Sequence, residues 1–420
     1  MRRIDNSPKP LPATSVSGVN APAEARPTST TVTTQITDAF AAATGAGPID
    51  VAGAKIPRLD APASRTWSNT FGGRALENGY RFYDKTALTH LLNKLFHQHD
   101  LDTPKEVATA LSTPLPTDAA GAPKSFGDVT VVVNGMLNLV STPASMFRLA
   151  MATKGALVIA SSNPSGTDGL RMRPLTELWG TPVPPELKGK LFAIGDLSPN
   201  MIPWPQASDL FLEQLSVLEQ QFGNLKAQSP GLSEVKSLHD AKVTVVGYSQ
   251  GAVSVAAARK RLDDHGRGAL IDRVVSVAGS FSGTPFADVG DVQHHRSGLM
   301  EKAAAIGARI LGQVDHEDGR RTIGANDPDF VSQMIADLGL TPALVDVAYQ
   351  AKVDGGGDKV EPFFKLTGKL LQKDTGGSTD GVVSADAPFG TFVVRDEEAK
   401  THLSTWKDFR TFDRILEALP

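Results

Sequence analysis

Cysteine is absent from this 420-residue chain, which excludes disulfides, thiolate metal sites and a cysteine nucleophile. No run of about 18 consecutive apolar residues occurs, so no transmembrane segment is predicted. The formal net charge is only −4, and this gives neither the basic surface of a nucleic-acid-binding protein nor a polybasic membrane anchor. The 40% hydrophobic and 21% charged residues are those of an ordinary globular protein.

The first 60 residues have little to build a core from. Pro, Ser, Thr and Ala crowd them, and the first aromatic residue is Phe40. Such a segment cannot bury enough apolar surface to offset the entropy that it would lose on folding. Residues 1–60 are therefore predicted to be a disordered arm, and residues 61–420 a folded domain. The basic start is not followed by an apolar region, so no cleaved signal peptide is predicted. We expect a cytoplasmic protein, or one secreted without such a signal, as an effector would be.

From residue 128 onward, β-branched runs alternate with helical patterns. The predicted strands are 128–137, 190–195, 242–246 and 272–278, and the helices between them are 205–222 and 252–260. This order predicts an α/β fold with a mostly parallel central sheet flanked by helices. Residues 140–185 are predicted to be irregular, apart from one apolar piece at 155–160. Residues 290–374 lack a strong strand pattern and contain predicted helices over 297–313 and 329–353, broken by Gly312, Gly339 and Pro342. They are interpreted as a helical lid or cap insertion.

A G-x-S-x-G sequence, Gly247 to Gly251, separates a β-branched strand from an Ala-rich helix. Strand, sharp turn and helix form the nucleophile elbow of α/β-hydrolases, in which the central serine hydroxyl is lifted clear of the backbone. Gly247 and Gly251 leave room for the neighbouring chain. The N–H of Gln250, at the helix N-terminus, is directed to where an oxyanion would develop. Ser249 is therefore the predicted nucleophile, and an ordinary turn with a surface serine is the alternative.

The strand that begins at Asp128 ends in a glycine turn, Asn134-Gly135-Met136. In α/β-hydrolases the second oxyanion donor comes from the loop after an early strand. The N–H of Met136 is the predicted donor, and a plain strand-to-loop turn is the alternative.

An elbow serine needs a base, and the base needs an orienting carboxylate. In this architecture the acid follows the serine and the histidine follows the acid. Of nine histidines only His402 lies beyond residue 316, so His402 is the predicted base. Asp380, beside Gly381 in a glycine-rich loop, is the favoured acid, and Asp386 is the runner-up. No metal site is predicted, because the acidic run 315–318 is interpreted as an exposed turn.

Four stretches, in this order, resemble the bacterial true lipases of the α/β-hydrolase superfamily, the group of the Pseudomonas and Burkholderia triacylglycerol lipases. The matching stretches are VVVNGML (131–137), GYSQGA (247–252), VVSVAGSFSGTPFAD (274–288) and TDGVVS (379–384) with His402. They are similar to that family's oxyanion strand, elbow, post-elbow strand with its loop, and acid–histidine pair. The resemblance implies a bacterial enzyme that cleaves lipid esters, at a membrane or lipid surface.

The chain departs from that family at three places. Asn134 stands where the family has histidine, and Ser280-Phe281 replaces Pro-His. Ser404 stands where a family aspartate helps to bind a structural calcium ion. The resemblance therefore implies calcium, but a ligand is missing, and no cofactor is expected.

The predicted function is a serine ester hydrolase, lipase- or phospholipase-like, that acts through a Ser-His-Asp triad and an acyl-enzyme. An acyltransferase or a thioesterase would use the same triad, since the acceptor depends on water access. A non-catalytic binding protein with the same fold is the third alternative. The triad does not distinguish triglyceride, phospholipid and short ester.

Overall fold

The computed structural model describes residues 47–59, 102–135, 142–161, 170–195, 197, 202–284, 326–353, 368–369, 372, 377–386 and 388–419. Several predictions concern residues outside these ranges. They are residues 1–46 of the arm, the helix over 297–313, the acidic run 315–318 and the donor Met136.

The described residues form short strands and helices in alternation. The strands are β1 (Ile49–Val51), β2 (Ala54–Ile56), β3 (Gly127–Val133), β4 (Thr153–Ala160), β5 (Met172–Pro174), β6 (Glu177–Leu178), β7 (Thr181–Pro182), β8 (Leu191–Ile194), β9 (Val243–Tyr248), β10 (Arg273–Val277), β11 (Val347–Lys352) and β12 (Phe392–Ala399). The α-helices are α1 (Pro104–Ser112), α2 (Pro143–Met151), α3 (Trp204–Gln220), α4 (Phe222–Gln228), α5 (Gln250–Asp264), α6 (Pro328–Asp337), α7 (His402–Lys407) and α8 (Arg410–Ala418). Within the described ranges, no helix has the length and apolar character needed to cross a membrane.

Eight of the strands form one sheet in the spatial order β12-β11-β10-β9-β3-β4-β8-β5. Neighbouring strands are parallel, except that β5 pairs antiparallel with β8 at one edge. One face of the sheet packs on a cluster that includes side chains of α3 and α5, and the other on side chains of α2 and α8. The predicted fold class, a mostly parallel sheet flanked by helices, is confirmed.

The central strands explain why the sequence pattern was clear there. All six residues of β9 are buried, and β3 is buried along almost its whole length. A parallel strand covered by helices on both faces needs apolar side chains at every position, which gives a continuous β-branched run. One edge of the sheet is formed by the carboxyl ends of the parallel strands β3, β9, β10, β11 and β12. In α/β proteins, ligands bind in the crevice outside the carboxyl ends of the strands.

Residues 49–56 contradict the prediction of a disordered arm that extends to residue 60. β1 and β2 form a hairpin, and Ile49, Val51 and Ile56 are buried in the core. The backbone N–H of Ala52 donates to Glu219 of α3 at 3.0 Å. The prediction failed because it rested on the average composition of 60 residues. A short hairpin needs only a few apolar residues and a neighbouring element, here α3, against which they can pack.

The prediction of a helix over 329–353 is wrong in its second half. The helix α6 ends at Asp337, and Val347–Lys352 is strand β11, between β10 and β12. A short strand buried on both faces shows no alternation, so periodicity cannot separate it from a helix. The range 290–374 is therefore not an insertion as a whole, since it contains a core strand. A lid in the rest of 290–374 stays a prediction.

The prediction of irregular structure over 140–185 is also wrong. Helix α2 and strand β4 lie there, and β4 pairs with β3 along its length. The strand signal is interrupted by Gly155, which the packing requires: a Cβ there would lie 2.3 Å from Leu232 and 2.7 Å from the carbonyl oxygen of Asp128. A glycine that serves close packing weakens the local strand pattern.

Candidate active site

Ser249 lies in the turn between β9 and α5 with φ 54° and ψ −127°. This backbone conformation costs a residue with a side chain about 1–3 kcal/mol, and such strain persists only where the surroundings impose it. The N–H of Ser249 donates to the carbonyl of Val277 at 2.9 Å, and its carbonyl accepts from the N–H of Ser280 at 3.3 Å. Both backbone groups are thus held by the end of β10 and the loop after it.

The two elbow glycines are required by close backbone contacts. A Cβ on Gly247 would lie 2.5 Å from the Cα of Ala252. A Cβ on Gly251 would lie 2.4 Å from the carbonyl oxygen of Val133 and 2.6 Å from that of Asn134. Helix α5 can therefore begin directly against the end of β3 only because these positions lack side chains.

The loop after β3 passes beside the nucleophile. A Cβ on Gly135 would lie 2.7 Å from the Cβ of Ser249 and 3.3 Å from its Oγ. Met136, the predicted second oxyanion donor, is the next residue and lies outside the described residues. Its role stays a prediction.

His402 and Asp380 are joined by two hydrogen bonds. Nδ1 of His402 lies 2.6 Å from Oδ2 of Asp380, and the backbone N–H of His402 donates to the Asp380 carbonyl at 2.9 Å. The other carboxylate oxygen accepts from the N–H groups of Val382 and Val383, each at 2.9 Å. A carboxylate only accepts, so Nδ1 carries a proton, which leaves Nε2 as the ring nitrogen that can accept one.

Asp386, the runner-up acid, has a different position. Its carboxylate accepts from the backbone N–H of Ser378, and the residue is exposed. A Cβ on Gly377 would lie 2.1 Å from its Oδ2. Asp386 thus closes the outside of the loop that carries Asp380, and the hydrogen bond to His402 belongs to Asp380.

The histidine packs against the residue that precedes the nucleophile. The hydroxyl of Tyr248 donates to the carbonyl of His402 at 3.0 Å, and the two rings are 5.1 Å apart between centroids. Tyr248 also stacks on Trp406 of α7, with a centroid distance of 4.7 Å. The elbow and the helix that begins with His402 are therefore fixed to each other. Ser249, unlike these neighbours, is partly exposed.

The segment around His402 is held by polar contacts that the sequence analysis did not predict. The N-cap residue Thr401 and Ser404 form a capping box, in which each side chain accepts from the other's backbone N–H, at 3.0 and 2.7 Å. Ser404, the residue at the family's calcium position, thus caps a helix here. The buried ammonium of Lys400 pairs with Asp396 and Asp408 at 2.8 and 2.9 Å. In the described part of the chain no group of three or more His, Asp or Glu could hold a metal ion.

The side chain of Gln250 makes contacts that the motif does not indicate. The motif points only to the backbone N–H, but the side-chain amide is buried and hydrogen-bonded to Ile202 and Asn326. Ser280, which differs from the residue at this position in the lipase pattern, donates to the side chain of Asn326 at 3.1 Å. No spacing or motif signals these contacts, because their partners are far apart in the chain.

The α/β-hydrolase fold is defined by a mostly parallel sheet and a strained serine elbow after a central strand, with an acid and then a histidine later in the chain. The described residues show this arrangement. No protein-family model and no curated protein matches the chain.

Solved structures of lipases and esterases are similar to it at low identity. Mature lipase BlEst2 of Bacillus licheniformis shows 18% identity over 73% of this chain and 96% of that one, with a TM-score of 0.40. The metagenomic carboxyl esterase MGS0156 shows 14% identity over 73% of this chain and 81% of that one, with a TM-score of 0.40. Brefeldin A esterase, a bacterial homologue of human hormone-sensitive lipase, shows 13% identity over 91% of this chain and 89% of that one, with a TM-score of 0.31. The resemblance to Pseudomonas and Burkholderia lipases stays a prediction.

Proposed function

We propose that this protein is a serine ester hydrolase with Ser249 as nucleophile, His402 as general base and Asp380 as the orienting acid. One observation supports this most: a serine in a strained elbow whose neighbour Tyr248 packs on a histidine that is hydrogen-bonded to a buried carboxylate. Nucleophilic catalysis by serine uses a serine held in such a turn and a histidine oriented by a buried carboxylate.

The chemistry follows from these positions. Oγ of Ser249 forms a bond to the ester carbonyl carbon while Nε2 of His402 takes the hydroxyl proton. The carbonyl oxygen becomes an oxyanion, which the N–H groups of Gln250 and Met136 would stabilise at the N-terminus of α5. The C–O bond to the alcohol breaks as His402 returns the proton to the leaving oxygen. Water, activated by the same histidine, then hydrolyses the acyl-enzyme.

The proposed substrates are lipid esters, either acylglycerols or phospholipids. The four lipase-like stretches of the sequence support this class, and three of the residues they contain, Ser249, Asp380 and His402, supply the proposed triad. A screen of p-nitrophenyl esters of increasing chain length, then of triglycerides and phospholipids with and without calcium, tests it. A preference for short soluble esters with no activity on either lipid class would contradict it.

The reaction itself is tested with Ser249→Ala. We expect a loss of kcat of about 10⁶-fold on a p-nitrophenyl ester, and loss of labelling by a fluorophosphonate. Ser216→Ala, at a partly exposed serine of α3, is the control and keeps both. Equal turnover by Ser249→Ala and wild type would refute the triad. Product analysis with an added alcohol and with a thioester substrate separates hydrolysis from acyl transfer and thioester cleavage.

A further inference from the structure

The side chain of Gln250 bridges two parts of the chain that are distant in sequence. Its Nε2 donates to the carbonyl of Ile202, just before α3, at 2.8 Å. Its Oε1 accepts from Nδ2 of Asn326, just before α6, at 2.7 Å. Only 1% of the residue is exposed. The donor and the acceptor of a buried amide are thus both used, and losing either partner would leave a polar group unsatisfied, which is costly.

Asn326 is itself fixed from several sides. Its Oδ1 accepts from the hydroxyl of Ser280 at 3.1 Å, and its backbone carbonyl accepts from the N–H of Thr284 at 2.7 Å. The turn approaches so closely that a Cβ on Gly283 would lie 2.7 Å from that carbonyl oxygen. The hydroxyl of Thr284 in turn donates to the carbonyl of Val382, in the loop of Asp380, at 2.6 Å. Asn326 therefore connects Gln250 to the loop after β10 and, through it, to the acid loop.

Gln250 is the first residue of α5, and its N–H is the proposed oxyanion donor. The direction of this N–H depends on the rotation of the peptide between Ser249, whose backbone is strained, and Gln250. A side chain held at both ends of its amide restricts that rotation. Donors that are already aligned before the reaction stabilise the transition state without reorganisation, and this alignment is the largest part of oxyanion stabilisation.

We propose that Asn326 is a positioning residue for the oxyanion hole and acts through the side-chain amide of Gln250. The proposal rests on the proposed ester hydrolysis. It explains why an amide stands at position 250: the backbone N–H could come from any residue except proline, but only glutamine has the reach, the donor and the acceptor that Ile202 and Asn326 require.

The test compares Asn326→Ala, Asn326→Leu, Gln250→Met and the Asn326→Ala/Gln250→Met double variant. Asn326→Leu keeps the branched shape of the side chain, loses its hydrogen bonds to Gln250 and Ser280 and adds no charge, so it separates lost bonds from lost volume and serves if the alanine variant does not fold. Ser229→Ala is the matched control: the buried hydroxyl of Ser229 donates to the carbonyl of Gly189 at 2.6 Å, near the amino end of β8, away from the site.

For both Asn326 variants we expect kcat to fall by about 10- to 100-fold, the order expected of a misaligned rather than a deleted oxyanion donor. KM and the shape of the pH profile should not change, because substrate binding and the His402–Asp380 pair are untouched. The rate of labelling by a fluorophosphonate should fall by the same factor. The double variant should be no slower than Gln250→Met, because the two side chains act as one unit. Ser229→Ala should lower the midpoint of unfolding and leave kcat unchanged.

Three results would overturn the proposal: kcat values for the Asn326 variants equal to that of Ser229→Ala, a rise in KM alone, or strictly additive losses in the double variant. Failure of the proposed function gives a different result, in which Ser249→Ala keeps the turnover of the wild type.

Discussion

Replacement of Asp380 by asparagine should trap His402 in the wrong tautomer. In the wild type, Oδ1 of Asp380 accepts two backbone N–H groups, from Val382 and Val383, and Oδ2 accepts from Nδ1 of His402. An asparagine must turn its oxygen toward the two N–H groups, since its NH₂ group would otherwise face two donors. The NH₂ group then faces Nδ1, which has to accept. The ring proton moves to Nε2, and the imidazole loses its base nitrogen.

The expected loss of kcat is about 10⁴-fold, or about 5 kcal/mol in the activation free energy, because the geometry stays intact and only the tautomer is wrong. The assay is initial-rate hydrolysis of a p-nitrophenyl ester at saturating substrate. KM should change little, and the thermal midpoint of unfolding reports whether the variant is folded, since asparagine has the size of aspartate and keeps both backbone hydrogen bonds.

Asp386→Asn is the matched control for Asp380→Asn. Asp386 accepts from the N–H of Ser378 at the exposed side of the same loop, and an amide oxygen can accept that bond equally. We expect this variant to keep the kcat of the wild type. A folded Asp380→Asn enzyme with a loss below about tenfold, or an Asp386→Asn enzyme that loses as much as Asp380→Asn, would refute the assignment of the acid.

Two further predictions concern packing and charge. Gly135→Ala places a Cβ 2.7 Å from the Cβ of Ser249, so kcat should fall by about 10²-fold. Gly223→Ala, with open space around it, is the control, and equal kcat values would contradict the reasoning. Burial raises the pKa of Glu213 from 4.5 to about 7, against the lowering effect of Arg58. The folded state therefore binds this proton more tightly, and stability falls as the pH rises from 4.5 through about 7. In urea unfolding, the free energy of unfolding of Glu213→Gln should fall by about 1–3 kcal/mol less than that of the wild type as the pH rises through this range. An equal pH dependence of the two proteins would contradict this explanation.

The sequence predicted the fold where burial and local pattern agree. Strands β9 and β10 lie in the middle of the sheet, and their continuous apolar runs follow from being covered on both faces. The local pattern failed to predict short segments whose conformation depends on pairing or packing with elements distant in the sequence. The strand Val347–Lys352 owes its conformation to pairing with β10 and β12, and the hairpin of residues 49–56 to its cover by α3. Neither partner is visible in the local sequence.

The candidate site divides along the same line. The strained turn at Ser249 was predictable because its conformation is imposed by its immediate neighbours, two glycines and the strand before them. The pairing of His402 with an acid was predictable because chain order left no other histidine after the acid. The catalytic roles of both residues stay predictions. The side-chain role of Gln250 was not predictable, since Ile202 lies 48 positions before it and Asn326 lies 76 positions after it. The motif specifies that a backbone N–H is present at position 250. The side chains that hold that N–H in place can be identified only from the fold. The motif alone therefore does not reveal Asn326, the proposed positioning residue.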